Sequence, residues 1–424
     1  MAMKEYSEKL PLPKFFESLE SDSSIQSLPY SDFERLVSED NIFTQTQRAI
    51  PGVLRLQFVS SLSLLSNFGK NRILYLTDPH SRFSHSSLVS LEGQQIARQS
   101  GFSEEDVKKV GISTAIHDIA TPALGDATKK VDPEALDEEL FWEEALDSKG
   151  EEFISRHGLN RDSLGRIIRN EGILGKVLDV SDRLSYVMQD LKVLFGPSLG
   201  VVSSYRNGAS EILSLLTQNP HIGDIYKTIF ADQRKEDVIF TDPKKLEVFL
   251  KLRAYLHRDF YFNPPNQGRD IFVAKMIQPL YSRNGESPLN PTRLRKMVDF
   301  QLLEVLSNRY APDMDPNSLV WQIRNWYPKI ERFGSEEEAR KREQELKQHG
   351  NIAVVGIKEC KGFDPATSYK VADGYKYVEF RDFDPKAARQ IETIVDSTKG
   401  IFLFWADVLE DNPTNTLLRT VLKK

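Results

Sequence analysis

Ser113–Asp126 reads STAIHDIATPALGD, and its adjacent pair His117–Asp118 sets the question the rest of the chain must answer. A neutral imidazole beside a carboxylate, near the end of an apolar helix, is an economical metal-binding element. Histidine nitrogen suits zinc, iron or manganese, while a carboxylate adds charge and can bridge to a second ion. A His-Asp dipeptide also arises by chance. Its weight depends on whether the chain supplies further ligands.

Two other stretches do. Arg82 and His85 stand three apart in SRFSHSSLV, at the start of a helix expected over about Ser81–Arg98, and so share a face. A guanidinium next to a ligating imidazole suits a phosphate oxyanion, because its planar fork can grip two oxygens. The second stretch is GILGKVLDVSDRLSYVMQDLKVLF, Gly172–Phe195. Ile173, Val177, Val180, Leu184, Val187 and Leu191 form one apolar stripe at helical spacing. Asp179, Asp182, Tyr186 and Asp190 follow one another along a polar edge. An ordinary solvated face carries lysine and glutamate, so repeated aspartate reads as an edge that points into a cleft. His117 lies 32 residues after His85, and Asp182 lies 64 after Asp118.

In that order, R82-F-S-H85, H117-D118 and D182-R183-L-S-Y186-V-M-Q-D190 resemble the HD-domain phosphohydrolases. The likeness is strongest to the deoxynucleoside triphosphate triphosphohydrolase branch, which includes bacterial dGTP triphosphohydrolases and the sterile-alpha-motif/HD protein. It spans about Gln47 to Leu194. The resemblance implies a mainly α fold, an HD-domain helical body, with His85, His117, Asp118 and Asp182 as metal ligands. It implies one divalent ion, whether zinc, manganese, iron, nickel or magnesium. Arg82 and Arg183 would touch phosphates, Tyr186 would line a nucleoside pocket, and Asp190 would meet a sugar hydroxyl. Self-association as a homo-oligomer is implied as well.

The departures bear on chemistry. In that branch the HD pair is followed by a pattern like HDLGHxPFxH, and here the two later histidines are replaced by Thr121 and Asp126. A further histidine, in an FxHE-like element, corresponds to Glu143 or Glu144 in FWEEAL. DRLDYLLRD has become DRLSYVMQD, with Ser185 and Gln189 at an acid and a base, and Ser61 replaces a sugar-contacting glutamine. Proton transfer would then fall to Asp126 or Glu143, provided burial or a neighbouring acid raises the pKa. The expectation is a phosphohydrolase of nucleotide-like phosphate esters with an altered acid–base set. The alternative is a catalytically degenerate relative that binds metal or nucleotide as a regulatory or interaction module.

The rest of the chain frames this reading. Residues 1–50 form an N-terminal segment packing on the body, 51–200 the core, 201–320 a helical extension and 321–424 a small α+β lobe. From Pro51 the three-residue recurrence of Val53, Leu56, Val59, Leu62 and Leu65 predicts a helix, and NRILYLTDPHSRF a brief extended piece with a turn at Asp78-Pro79. Ser103 followed by three acids marks a helix start. Asn263–Arg269 reads as a loop, and Ile352–Ile357, Tyr375–Phe383 and Gly400–Trp405 as strands. His80 reads as a turn residue, His157 and His221 as exposed, and Lys129–Lys130 as solvated surface. The run KLRAYLHRDFYFNPPNQGRDIF could stack on a base and grip phosphate, but a packed helix and loop explain it equally well.

Composition sets outer bounds. The 56 basic and 62 acidic side chains give a net charge of −6, which disfavours nucleic acid as a partner. No run approaches a membrane span, one cysteine excludes a disulfide framework, and a cytoplasmic location is expected. No phosphate-cradling Walker loop or dinucleotide glycine fingerprint is present.

Overall fold

The structure, a computed structural model, describes residues 42–61, 80–195, 209–284, 287–374, 376–408 and 413–422. Leu62, Leu65 and the expected extended piece through Pro79 lie outside the described residues, as do residues 1–41. The centre is a group of packed helices: α1 (Ile42–Ala49), α2 (Arg82–Gln99), α3 (Glu104–Ile116) and the long α4 (Gly172–Phe195). Local chemistry fixes where two of them begin. The Ser81 hydroxyl accepts from the Ser84 amide and starts α2, and Ser103 does the same for α3 through Asp106, with three acids in the first turn.

Close approach of α2, α3 and α1 relies on glycine. A Cβ on Gly93 would come within 2.9 Å of Val110 Cγ1, and one on Gly111 within 2.5 Å of Ile42 Cγ2. The α4 stripe is buried from Val177 through Leu191, and only Ile173 remains partly covered. The apolar pattern after Pro51 does not continue as a helix. Gly52–Arg55 is one helical turn, Leu56–Phe58 a 3-10 turn, and Val59 is extended. Strict three-residue spacing is the period of the tighter helix rather than of an α-helix, and Val53, Leu56 and Val59 are all fully buried along this turning stretch.

Beyond α4, α5 (Pro243–Leu256) widens at its end into a π turn over His257–Tyr261, where the Phe262 amide donates to the His257 carbonyl at 2.7 Å. The expected loop at Asn263–Arg269 is instead the start of helix α6 (Pro264–Ile277). Its proline occupies the first turn, where no amide is needed, and Arg269 is fully buried.

Two small sheets complete the fold. β1 (Ile229–Asp232) and β2 (Asp237–Phe240) form an antiparallel hairpin inside the stretch expected to be helical. β2 then pairs in parallel with β5 (Lys370–Asp373), which pairs with β6 (Lys376–Glu379). The second sheet has the order β3 (Lys329–Phe333), β7 (Gly400–Asp407), β4 (Ile352–Cys360), all antiparallel. The expected strand at Tyr375–Phe383 is shorter than predicted and turns helical at Phe380. The C-terminal lobe is thus α+β as expected, yet its strands extend a sheet begun by the helical region. No described helix is long and apolar enough to cross a membrane.

Candidate metal centre and cavity

Three helices and their ends deliver five side chains to one place. Arg82 and His85 occupy the first turn of α2, His117–Asp118 follow the last turn of α3, and Asp182 lies mid-way along α4. The ligand atoms of His85, His117 and Asp118, all buried, lie within 4.8 Å of one another. Asp182 joins them: its Oδ1 is 2.8 Å from His85 Nε2 and 3.5 Å from His117 Nε2. Asp118 Oδ2 stands 3.7 and 3.6 Å from the same two nitrogens.

The donor set fits a divalent cation. His117 Nδ1 donates to the Thr114 carbonyl at 2.7 Å, which leaves Nε2 as the free lone pair, and that atom is buried without a hydrogen-bond partner. Ser185 Oγ sits 3.4 Å from His85 Nδ1, behind the second imidazole. Burial opposes charge on His117, but Asp118 and Asp182 outweigh it and lift the imidazole to about 9. Burial also works against ionising Asp182, yet its two histidine partners hold it far below the usual carboxylate range. Despite burial, Arg82 and the histidines do the same for Asp118. Without an ion, the cluster compensates two carboxylates with a proton.

Asp118 is gripped from both sides. Arg82 Nη1 donates to Oδ2 at 2.9 Å, and Thr121 Oγ1 donates to Oδ1 at 3.3 Å. Thr121 therefore orients the carboxylate and offers no proton-transfer group of its own.

The centre opens into a cavity of about 690 Å³. Its cationic wall holds Arg82, Lys129, Lys130, Lys275 and Lys358, and its aromatic wall Tyr186, His257, Phe260, Tyr261 and Phe262. Lys129 and Lys130, expected on solvated surface, line this cavity instead. Lys129 pairs with Glu138, and Lys130 with Asp270 at 2.8 Å. They are enclosed because the chain after Asp118 folds back against α6.

The other site residues divide clearly. Asp126 faces the cavity, but Lys129, Lys130 and Arg82 overcome its partial enclosure and hold it below the ordinary range. It is a carboxylate and carries no proton to give, contrary to the raised pKa the sequence reading requires of it. Glu143 is half-exposed on a 3-10 turn and pairs with Arg161 at 3.0 Å, so it is not brought to the cavity. Glu139 is exposed and does not line the cavity, and its carboxyl is pushed upward by partial burial and by Glu138, with Asp137 and Asp182 adding to the effect. Arg183 does not line the cavity either: it bonds Asp179 at 3.0 Å and Asp364 at 3.1 Å and lies over the Tyr369 ring.

Tyr186 lines the cavity as expected. Its hydroxyl accepts from Arg253 Nε at 2.6 Å and sits 3.2 Å from His257 Nε2. Burial, Arg253 and Arg183 push His257 well below its usual value, so the ring that shares this hydrogen bond is neutral. Asp190 also faces the cavity but is engaged: His80 Nε2 lies 2.5 Å from one oxygen, and the Tyr261 hydroxyl donates to the other. His80 is therefore a buried partner of Asp190, because Asp190 on α4 faces the segment leading into α2. His157 is half-buried against Phe153, while His221 is exposed as expected.

The sequence reading left Arg253, His257 and Tyr261 without a role. Their four-residue spacing places them on one face and was the available signal.

No family model matches the chain, and no curated protein matches it. Solved structures do. A hypothetical protein from Aquifex aeolicus superposes with a TM-score of 0.61 at 15% identity, over 90% of this chain and 96% of that one. A phosphohydrolase from Bacteroides thetaiotaomicron VPI-5482 superposes with a TM-score of 0.57 at 16% identity, over 87% and 96%. The chain shares the fold of both proteins across nearly its whole length.

Proposed function

We propose that the protein is a metal-dependent phosphohydrolase of the HD-domain type, acting on nucleotide-like phosphate esters. One observation carries this reading: His85, His117, Asp118 and Asp182 converge where a large cavity joins a cationic wall to an aromatic one. The phosphohydrolase among the structures of like fold agrees with it. A divalent ion at the four ligands would lower the pKa of a bound water and neutralise charge on a phosphoryl group.

The chain's own groups supply the rest. Arg82, whose Nε is buried and unpaired, binds phosphoryl oxygens and keeps its charge throughout. The lysines of the same wall extend that field along the cavity. Tyr186, His257 and Tyr261 present rings for a base or sugar. Asp126, which lines the cavity and is held as a carboxylate, can accept a proton.

A second reading, a metal- or nucleotide-binding module without turnover, draws on the engagement of Asp190 and Arg183 by other side chains. The two readings separate in one experiment. Purified protein, supplemented in turn with manganese, zinc, iron, nickel and magnesium, is assayed for phosphate release from nucleoside mono-, di- and triphosphates. His117→Ala should lower any activity by about a hundredfold or more. Release unchanged in that variant would sink the hydrolase assignment, and tight metal binding without release from any substrate favours the second reading.

A further inference from the structure

After His117 the chain runs through turns as far as Gly125, and two charged side chains outside the cavity hold it there. Arg55 donates to the carbonyls of Ile119 at 2.9 Å, Thr121 at 2.8 Å and Met297 at 2.8 Å. Asp299, 6% exposed, accepts from the Leu124 amide at 2.7 Å and the Ser60 amide at 2.9 Å. Neither side chain lines the cavity.

The bonds have a common direction. Ser60 bridges to Ser81, and the Arg82 amide donates to the Val59 carbonyl at 2.8 Å. One carboxylate therefore ties the stretch leading into Arg82 to the stretch leading away from Asp118. Those two stretches carry the groups that grip Asp118, namely Arg82 on Oδ2 and Thr121 on Oδ1. Charge-assisted bonds to backbone groups are stronger and more directional than neutral ones, so they suit the fixing of an angle.

We propose that Asp299 and Arg55 are positioning residues of the metal centre, which set the plane of the Asp118 carboxylate through the Ile119–Leu124 backbone and the Thr121 hydroxyl. This rests on the metal reading above. Neighbours that orient a ligand in this way are worth roughly tenfold to a hundredfold in metal affinity.

Cobalt(II) is the probe, because the position and intensity of its visible bands report ligand geometry independently of turnover. Asp299→Asn keeps one acceptor and loses the other. It should bind cobalt roughly ten to a hundred times more weakly than the wild type, with altered bands. Thr121→Val, nearly isosteric but without the hydroxyl, should change the bands in the same way, and Thr121→Ser should restore them. A purely structural role would lower the melting temperature and leave the spectrum alone. Wild-type affinity and spectrum in both Asp299→Asn and Thr121→Val would overturn the inference while leaving the metal reading intact. No cobalt uptake by the wild type would overturn both. If Asp299→Asn does not fold, the Thr121 pair decides.

Discussion

On the metal reading proposed above, a proton and a metal ion would compete for Nε2 of His117. Asp118 and Asp182 raise this imidazole from 6.5 to about 9 against the opposing effect of burial, so in metal-free protein the proton takes the cation's place. Because the folded value lies above the unfolded one, the stabilisation is complete below about pH 6.5 and disappears as pH rises through about 9. The amount at stake is on the order of 3 kcal/mol, the size of such a shift for a buried group. His85, lowered by burial, stays neutral over this range and does not oppose the effect. Protein stripped with a chelator should therefore melt several degrees lower at about pH 9 than at neutrality, and manganese-saturated protein should not. Thermal melts in the two buffers measure it. A flat profile in chelator would show that His117 does not feel the two carboxylates. The sequence places His85, His117, Asp118 and Asp182 in one group, and the structure brings those side chains together. Helical spacing brings ligands to one face, whereas the state of Asp126 depends on lysines whose enclosure no local pattern reveals.

The link between β4 and β5 shows how elements hold each other across the molecule. Its Asp364 carboxylate accepts from Arg183 at 3.1 Å and its carbonyl from Arg253 at 2.6 Å. Phe363 stacks on His257 with ring centres 3.9 Å apart. The Asp364 side chain is 60% exposed, so its ion pair is worth at most about 1 kcal/mol. The stack, against a half-buried histidine and beside the buried Arg253 guanidinium, contributes more. Phe363→Ala should accordingly speed amide exchange across residues 361–369 while Asp364→Asn leaves it nearly unchanged, as hydrogen-exchange mass spectrometry would show. The reverse order would mean that charge, not stacking, docks the link. Legibility follows the same division between local and distant causes. Ser103 announces α3 because the cap and its acids lie within one turn, and Ser81 caps α2 just as locally though without acids. The start of α6 was hidden by a loop-like composition, Pro-Pro-Asn-Gln-Gly, although proline belongs in a first turn. Asp364, the partner of Arg183, lies 181 residues from it, and Asp190, the partner of His80, 110 residues from it, so no local pattern reveals either pair.

At the scale of the whole molecule, the question is whether the helical body stands without the lobe that follows it. All four candidate ligands precede residue 183, and a body ending near Asn325 would contain them. The core argues against independence. Val371, Phe380 and Ile391 are buried in the same cluster as Val180, Leu184 and Phe249, and Phe404 packs in the cluster of Phe272 and Val273. Removing them exposes apolar surface worth ~1.5–3 kcal/mol for each large side chain lost, before their uncovered partners are counted. Four such residues approach the roughly 5–15 kcal/mol that keeps a domain folded. The cut would also free the β2 edge that pairs with β5, including Phe240, and an unpaired apolar edge invites aggregation. The cavity would lose Ile357 and Lys358, both on β4. A chain ending at Asn325 should therefore show no cooperative thermal transition and should elute as aggregate on size-exclusion chromatography. Cooperative melting within a few degrees of the full chain would refute the shared core. Cobalt uptake by such a fragment would add that the proposed ligand geometry needs only the helices, since every candidate ligand lies on or beside α2, α3 or α4.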